Sequence, residues 1–139
     1  MGINYWAVLV CAVFSMVLGS LWYGRLFGKA WMKIMGVDAK DVSANKKIKK
    51  GMWMLYLTQF ILTLFQVYIL ANLLITIPSV MVGVLFTVLV FLAFVIPTLA
   101  GNAMWSTKPR KIAWAQFGIQ FGYQLILFVV FGFVLSVWI

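Results

Sequence analysis

Gly19-Ser-Leu-Trp-Tyr-Gly-Arg-Leu-Phe-Gly-Lys-Ala-Trp-Met-Lys-Ile-Met-Gly36, continuing as a polar run to Lys46-Lys-Ile-Lys-Lys-Gly51, is the one sizeable stretch of this sequence that water would welcome. It holds eight of the 11 basic residues (Arg25, Lys29, Lys33, Lys40, Lys46, Lys47, Lys49, Lys50) and both acids, Asp38 and Asp41. Long apolar segments lie on either side. The stretch therefore reads as a loop between membrane crossings, and the chain as an all-α polytopic membrane protein.

The composition agrees. Of 139 residues 65% are hydrophobic and 9% charged, whereas a soluble domain is about a quarter charged. A net charge of +9 beside apolar spans points to anionic lipid headgroups as the partner, and not to nucleic acid, for which no extended basic face is left. A single cysteine, Cys11, excludes an internal disulfide and a paired-cysteine redox or zinc site. With no histidine, imidazole ligation and imidazole acid–base chemistry are absent. The sequence implies no metal and no cofactor.

Working outward, four spans are expected over residues 3–23, 52–75, 80–105 and 112–138 of one transmembrane domain, 1–139, with a loop over 24–51. Each is about one bilayer crossing long. The first is expected to stay as a helix, since no Lys or Arg leads it and no small-x-small cleavage site follows. Outer-membrane strands would need alternating segments of about ten residues, which the spans do not resemble. Within the loop, Leu26, Phe27, Ala30, Trp31, Ile34 and Met35 recur at a spacing of three to four. That spacing predicts a short amphipathic helix lying in the headgroup layer, with Lys29 and Lys33 reaching toward water. Asp38 with Asp41 marks the start of a second short helix leading through Lys46–Lys50 into the next span.

All 11 basic residues fall in the first and third loops. Positive residues stay on the cytoplasmic side, so the basic loops are expected in the cytoplasm and both termini outside a plasma (bacterial inner) membrane. Trp22, Tyr23, Trp53, Tyr56, Trp105 and Trp114 would mark the inner interface, and Tyr5, Trp6 and Trp138 the outer one.

Little in the spans could carry catalysis, because none contains an ionisable Asp, Glu, Lys or Arg. Cys11 lacks a visible base and reads as a small packing residue. Ala7, Cys11, Ser15 and Gly19 repeat every four residues, as do Gly118 and Gly122, so each set lets another backbone come close. Gln116, Gln120 and Gln124 form an i, i+4 stripe on the fourth span, and Gln59, Thr63 and Gln66 a corresponding one on the second. Such amides need partners in hydrocarbon. They form either a helix-registering ladder, the favoured reading, or the lining of an uncharged polar pathway. Matching depths predict Gln59 near Gln120 and Gln66 near Gln124. Gly118 and Gly122, about half a turn from the amides, are then expected to face a neighbouring subunit in a homo-oligomer. Pro97 has no N–H to give and is expected to kink the third span.

The motif Gly19-Ser-Leu-Trp22-Tyr23-Gly24-Arg25-Leu26-Phe27-Gly28-Lys29-Ala-Trp31-Met resembles a family of small, four-span, mostly bacterial integral membrane proteins, domain of unknown function 1761. The shared pattern is Gly-x-x-Trp-Tyr, a short loop, then Phe-Gly-Lys-x-Trp. Members often have Pro where this chain has Arg25. The resemblance implies a fold and a membrane location, and no activity.

Read physically, Trp22, Tyr23, Phe27 and Trp31 would anchor the span end at the interface. Arg25, Lys29 and Lys33 could bind an anionic lipid headgroup. The expected function is a non-enzymatic, self-associating scaffold or accessory subunit that interacts with anionic lipid, with a possible unknown membrane partner protein. The alternative is a small oligomeric channel or facilitator for a neutral or anionic solute. The charge pattern yields a direct prediction. In a Cys11-free background, a cysteine at position 108 should resist an impermeant thiol reagent on intact cells and react once the cells are opened; labelling from outside would invert the topology.

Overall fold

A backbone in hydrocarbon must satisfy its own N–H and C=O groups, so apolar runs of about 20 residues fold as helices. The computed structural model describes residues 3–34 and 42–138, with the backbone alone over 42–52. Four of its helices are long and apolar enough to cross a membrane: Tyr5–Leu26, Trp53–Leu74, Val80–Met104 and Arg110–Trp138. No strand occurs among the described residues.

In chain order, α1 (Tyr5–Ser20) is capped by Asn4, whose side chain accepts from the Trp6 N–H, and runs into a π-helical turn over Leu21–Leu26. A short α2 (Gly28–Ile34) follows. Next comes α3 (Val42–Leu74), 33 residues long. The second short helix expected in the polar loop is therefore no separate element but the first turns of α3, because nothing between Val42 and the apolar span breaks the helix. Met35, Asp38 and Asp41, and the side chains of Lys46–Lys50, lie outside the described residues. The third crossing is α4 (Val80–Val90), a π-helical turn over Phe91–Val95, and α5 (Ile96–Met104). The last is α6 (Arg110–Trp138).

The helix α6 is the hub, touching every other helix and packing most extensively on α4. The α4–α6 seam is built from small residues. Gly83 lies against the Ser136 side chain, and Gly132 against Thr87 and Val84, where an added Cβ would stand 3.0 Å from Val84 Cα. Gly83 and Thr87 are four apart, and so are Gly132 and Ser136. On two antiparallel helices these pairs interlock, which lets the backbones come close. Phe91, Phe131 and Leu135 fill the space beside them and are fully buried. One hydroxyl oxygen, Ser136 Oγ, is buried there without a hydrogen-bond partner.

A second joint ties α1 to α6. Ala7, Cys11 and Ser15 are buried along one face of α1. One turn further on, Gly19 meets the Tyr123 ring, whose hydroxyl would stand 3.1 Å from an added Cβ. The same Tyr123 hydroxyl donates to Ser15 O at 2.7 Å. Trp22 lies over Gly122, where a Cβ would come within 2.8 Å of the indole, and its Nε1–H donates to Ile119 O at 2.9 Å. Tyr23 meets Tyr123 edge-on at 5.3 Å. The π-helical turn, closed by Phe27 N–H to Trp22 O at 2.9 Å, is wider than an α-turn and brings both Trp22 and Tyr23 toward α6.

This corrects two expectations. Trp22 and Tyr23 are not simply lipid anchors: both are half-buried, the indole N–H bonds Ile119 O, and the Tyr23 ring packs edge-on against Tyr123 of α6. Gly122 does not face a neighbouring subunit, because Trp22 of the same chain occupies it. Gly118 is open, with nothing within 4 Å of an added Cβ. Phe27 and Trp31 pack on the joint from outside, at 4.9 Å from Trp22 and 4.6 Å from Tyr23, and so fold α2 back beneath the bundle.

The two glycines should thus respond differently. Gly122→Leu should lower the thermal unfolding temperature in detergent by the equivalent of about 1–3 kcal/mol, the cost of overpacking a filled site. Gly118→Leu should leave it unchanged. Equal effects would mean that the indole does not sit on Gly122.

A polar furrow as candidate functional site

The third crossing changes character at its middle. Pro97 cannot donate a backbone hydrogen bond, and the chain accommodates it just after the π-helical turn, where Ile96 N–H reaches back to Phe91 O. The expected interruption thus takes the form of a π-bulge followed by a fresh helix with proline in its first turn. Thr98 Oγ1 donates to Phe94 O at 2.8 Å. Beyond the bulge, α5 packs less extensively on α6 than α4 does.

That looser half contains two adjoining cavities. The one farther from Arg110 along α6, a shallow open hollow of about 300 Å³, is lined by Gln66 of α3, Phe94, Val95, Thr98 and Leu99 of the third crossing, and Gln124 of α6. The other, about 450 Å³, lies toward the 105–109 turn, with Asn102, Lys108, Gln116 and Gln120 among its polar lining. Leu99 borders both, so together they form one furrow. Gln116, Gln120 and Gln124 form its polar edge along α6, about 9, 15 and 21 Å from Arg110 at the helical rise of about 1.5 Å per residue. The polar lining thus ends near the middle of α6. The furrow also has a side opening, because α3 packs on α1 and more lightly on α6, with little or no contact to α4 or α5.

The mouth is held by two cations in different ways. The Arg110 guanidinium donates to Ala103 O at 3.0 Å and Met104 O at 2.7 Å, and also to Ser106 O. It satisfies carbonyls that the end of α5 would otherwise leave bare. Lys108 is half-buried and lines the furrow, its Nζ donating to Gln116 Oε1 at 3.2 Å.

The structure distributes the sequence candidates unevenly. Gln66 and Gln124 share one cavity, and Gln116 and Gln120 the other. Gln59 does not join Gln120: it is exposed and donates to Thr63 Oγ1 at 3.3 Å, while Thr63 donates to Gln59 O at 2.8 Å. An i, i+4 partner on the same helix satisfies it first. No hydrogen bond joins two of the glutamines among the described residues. Arg25, Lys29 and Lys33 are exposed and line neither cavity. Asn102, Thr98 and Lys108 escaped the sequence reading as site residues. The signal available was their position: two fall within a turn and a half of Pro97, and Lys108 sits in the adjoining turn. Among the described residues, no three His, Cys, Asp or Glu side chains lie close enough to hold a metal ion.

A family model described as "Protein of unknown function (DUF1761)" matches residues 6–136. No curated protein and no solved structure matches the chain. The chain belongs to the DUF1761 family.

Proposed function

We propose that this member of the DUF1761 family is a non-enzymatic accessory or scaffold protein of the membrane, whose working part is the furrow and whose ligand arrives from the bilayer. One observation carries the reading. Four glutamines, an asparagine and a lysine line adjoining hollows in one half of the bundle, whereas the α4–α6 seam in the other half is closely packed. Amides that had only to register helices would be expected to bond one another. Lining a cavity suits them better to a ligand.

The closely packed half also weighs against conduction through a single chain. A permeation path needs groups along its whole length to replace the solute's hydration, and beyond Gln124 the helix α6 offers mainly apolar side chains to the bundle. Against catalysis, the chain has no histidine, and its two acids lie in the basic loop. The basic end, which holds the mouth of the furrow, is assigned to the cytoplasm by its positive charges. The oligomeric channel stays the second reading, favoured by amides that are not bonded to one another.

Lipid retention and solute flux separate the two. Protein extracted in mild detergent should carry a native lipid into the mass spectrometer, and Gln120→Leu should remove most of it. Proteoliposomes should show no protein-dependent flux of small neutral solutes or anions. Flux that Gln120→Leu abolishes, with no retained lipid, would replace this reading with the channel.

A further inference from the structure

We infer that the furrow's ligand is an anionic diacyl phospholipid, held with its phosphate at Lys108 and Gln116, its ester carbonyls at the level of Gln120, and its chains leaving sideways between α3 and α5. The inference rests on the furrow being a ligand site and adds the chemistry of the ligand.

The charge comes first. Of the basic side chains described, Arg25, Lys29, Lys33 and Lys111 are exposed. Arg110 is committed to backbone carbonyls. Lys108 alone among them lines the furrow, half-buried, with its ammonium on the neutral oxygen of Gln116. A half-buried ammonium can still take an anionic partner with further hydrogen bonds around it. Since Gln116 accepts through Oε1, its Nε2 keeps two donors. Ammonium and amide together suit a phosphate oxyanion, which is acceptor-only.

Depth comes next. Gln120 lies about 6 Å deeper than Gln116 along α6, within reach of the ester groups of a lipid whose phosphate sits at Lys108. The amide N–H of Gln120 would donate to an ester carbonyl, a fair exchange for water at that level. Deeper still, Leu99, Val95 and Phe94 present apolar walls beside Gln66, Thr98 and Gln124, and the acyl chains would run along the apolar side. The opening between α3 and α5 lets those chains pass into the bilayer without crossing a helix. A free phosphate would use Lys108 and leave Gln120 and the apolar walls without a role.

The test uses the full-length protein in nanodiscs of phosphatidylglycerol, phosphatidylcholine or a mixture with diacylglycerol, followed by native mass spectrometry. Wild type should retain phosphatidylglycerol several-fold over phosphatidylcholine, and diacylglycerol least. Lys108→Gln should abolish the preference for the anionic lipid, Lys108→Arg should restore it, and Lys111→Gln should leave it intact. Each variant is compared at an unchanged melting temperature. Inorganic phosphate should not displace the lipid. Preference surviving in Lys108→Gln, equal retention of diacylglycerol, or displacement by inorganic phosphate would overturn this inference while leaving the furrow as a ligand site. Gln120→Leu retaining every lipid as wild type does would remove both.

Discussion

Lipid tails are as apolar as leucine, so burying apolar side chains between two helices gains little inside a bilayer; close backbone approach and hydrogen bonds do the holding. The helix α6 carries that constraint for the whole bundle. It contacts α1, α3, α4 and α5, and α2 folds beneath it. Where its residues are small the neighbours come close, at Gly132 against Thr87 and at Gly122 under Trp22. Tyr123, next to Gly122, adds the hydrogen bond to Ser15 O. Removing these contacts would leave four apolar helices with no reason to prefer one another over lipid.

The same helix cannot be small and close everywhere. The stripe Gln116, Gln120 and Gln124 that it turns to the furrow is polar, and there the third crossing packs on it less extensively beyond the π-bulge and Pro97. π-bulges are found often at functional sites, and here the bulge marks the change from a sealed half to an open one. On the proposed reading, the asymmetry of the bundle, closely packed at one end and polar at the other, is what separates a half-depth binding site from a conduit. It follows from where α6 places its glycines and its glutamines.

The sequence made the four crossings plain, because a run of about 20 apolar residues admits few other structures. It also brought out the signature at Gly19, Trp22, Tyr23 and Phe27, yet not its job. That job depends on Ile119, Gly122 and Tyr123, about a hundred residues away, and no periodicity within one helix reports a partner on another. The glutamine stripes were legible as stripes for the same reason, and the pairing of Gln59 was not, since Thr63 on its own helix competes for it. Gly83 with Thr87, and Gly132 with Ser136, obey the same four-residue rule that singled out Ala7, Cys11, Ser15 and Gly19. Spacing within one helix does not say which such pair meets a partner on another, so the seam between them was not legible from periodicity alone. The furrow itself was hidden further still: it exists because α3 leans on α1 and leaves α5 uncovered.

Accessibility along α6 tests the central claim most directly. In a Cys11-free background, single cysteines at positions 120, 124, 131 and 135 would be challenged with a small, polar, membrane-permeant thiol reagent in native membranes. The account predicts reaction at 120 and 124 and protection at 131 and 135, where Phe131 and Leu135 are fully buried. Protection at 120 and 124 equal to that at 131 would contradict it, as would reaction at all four positions.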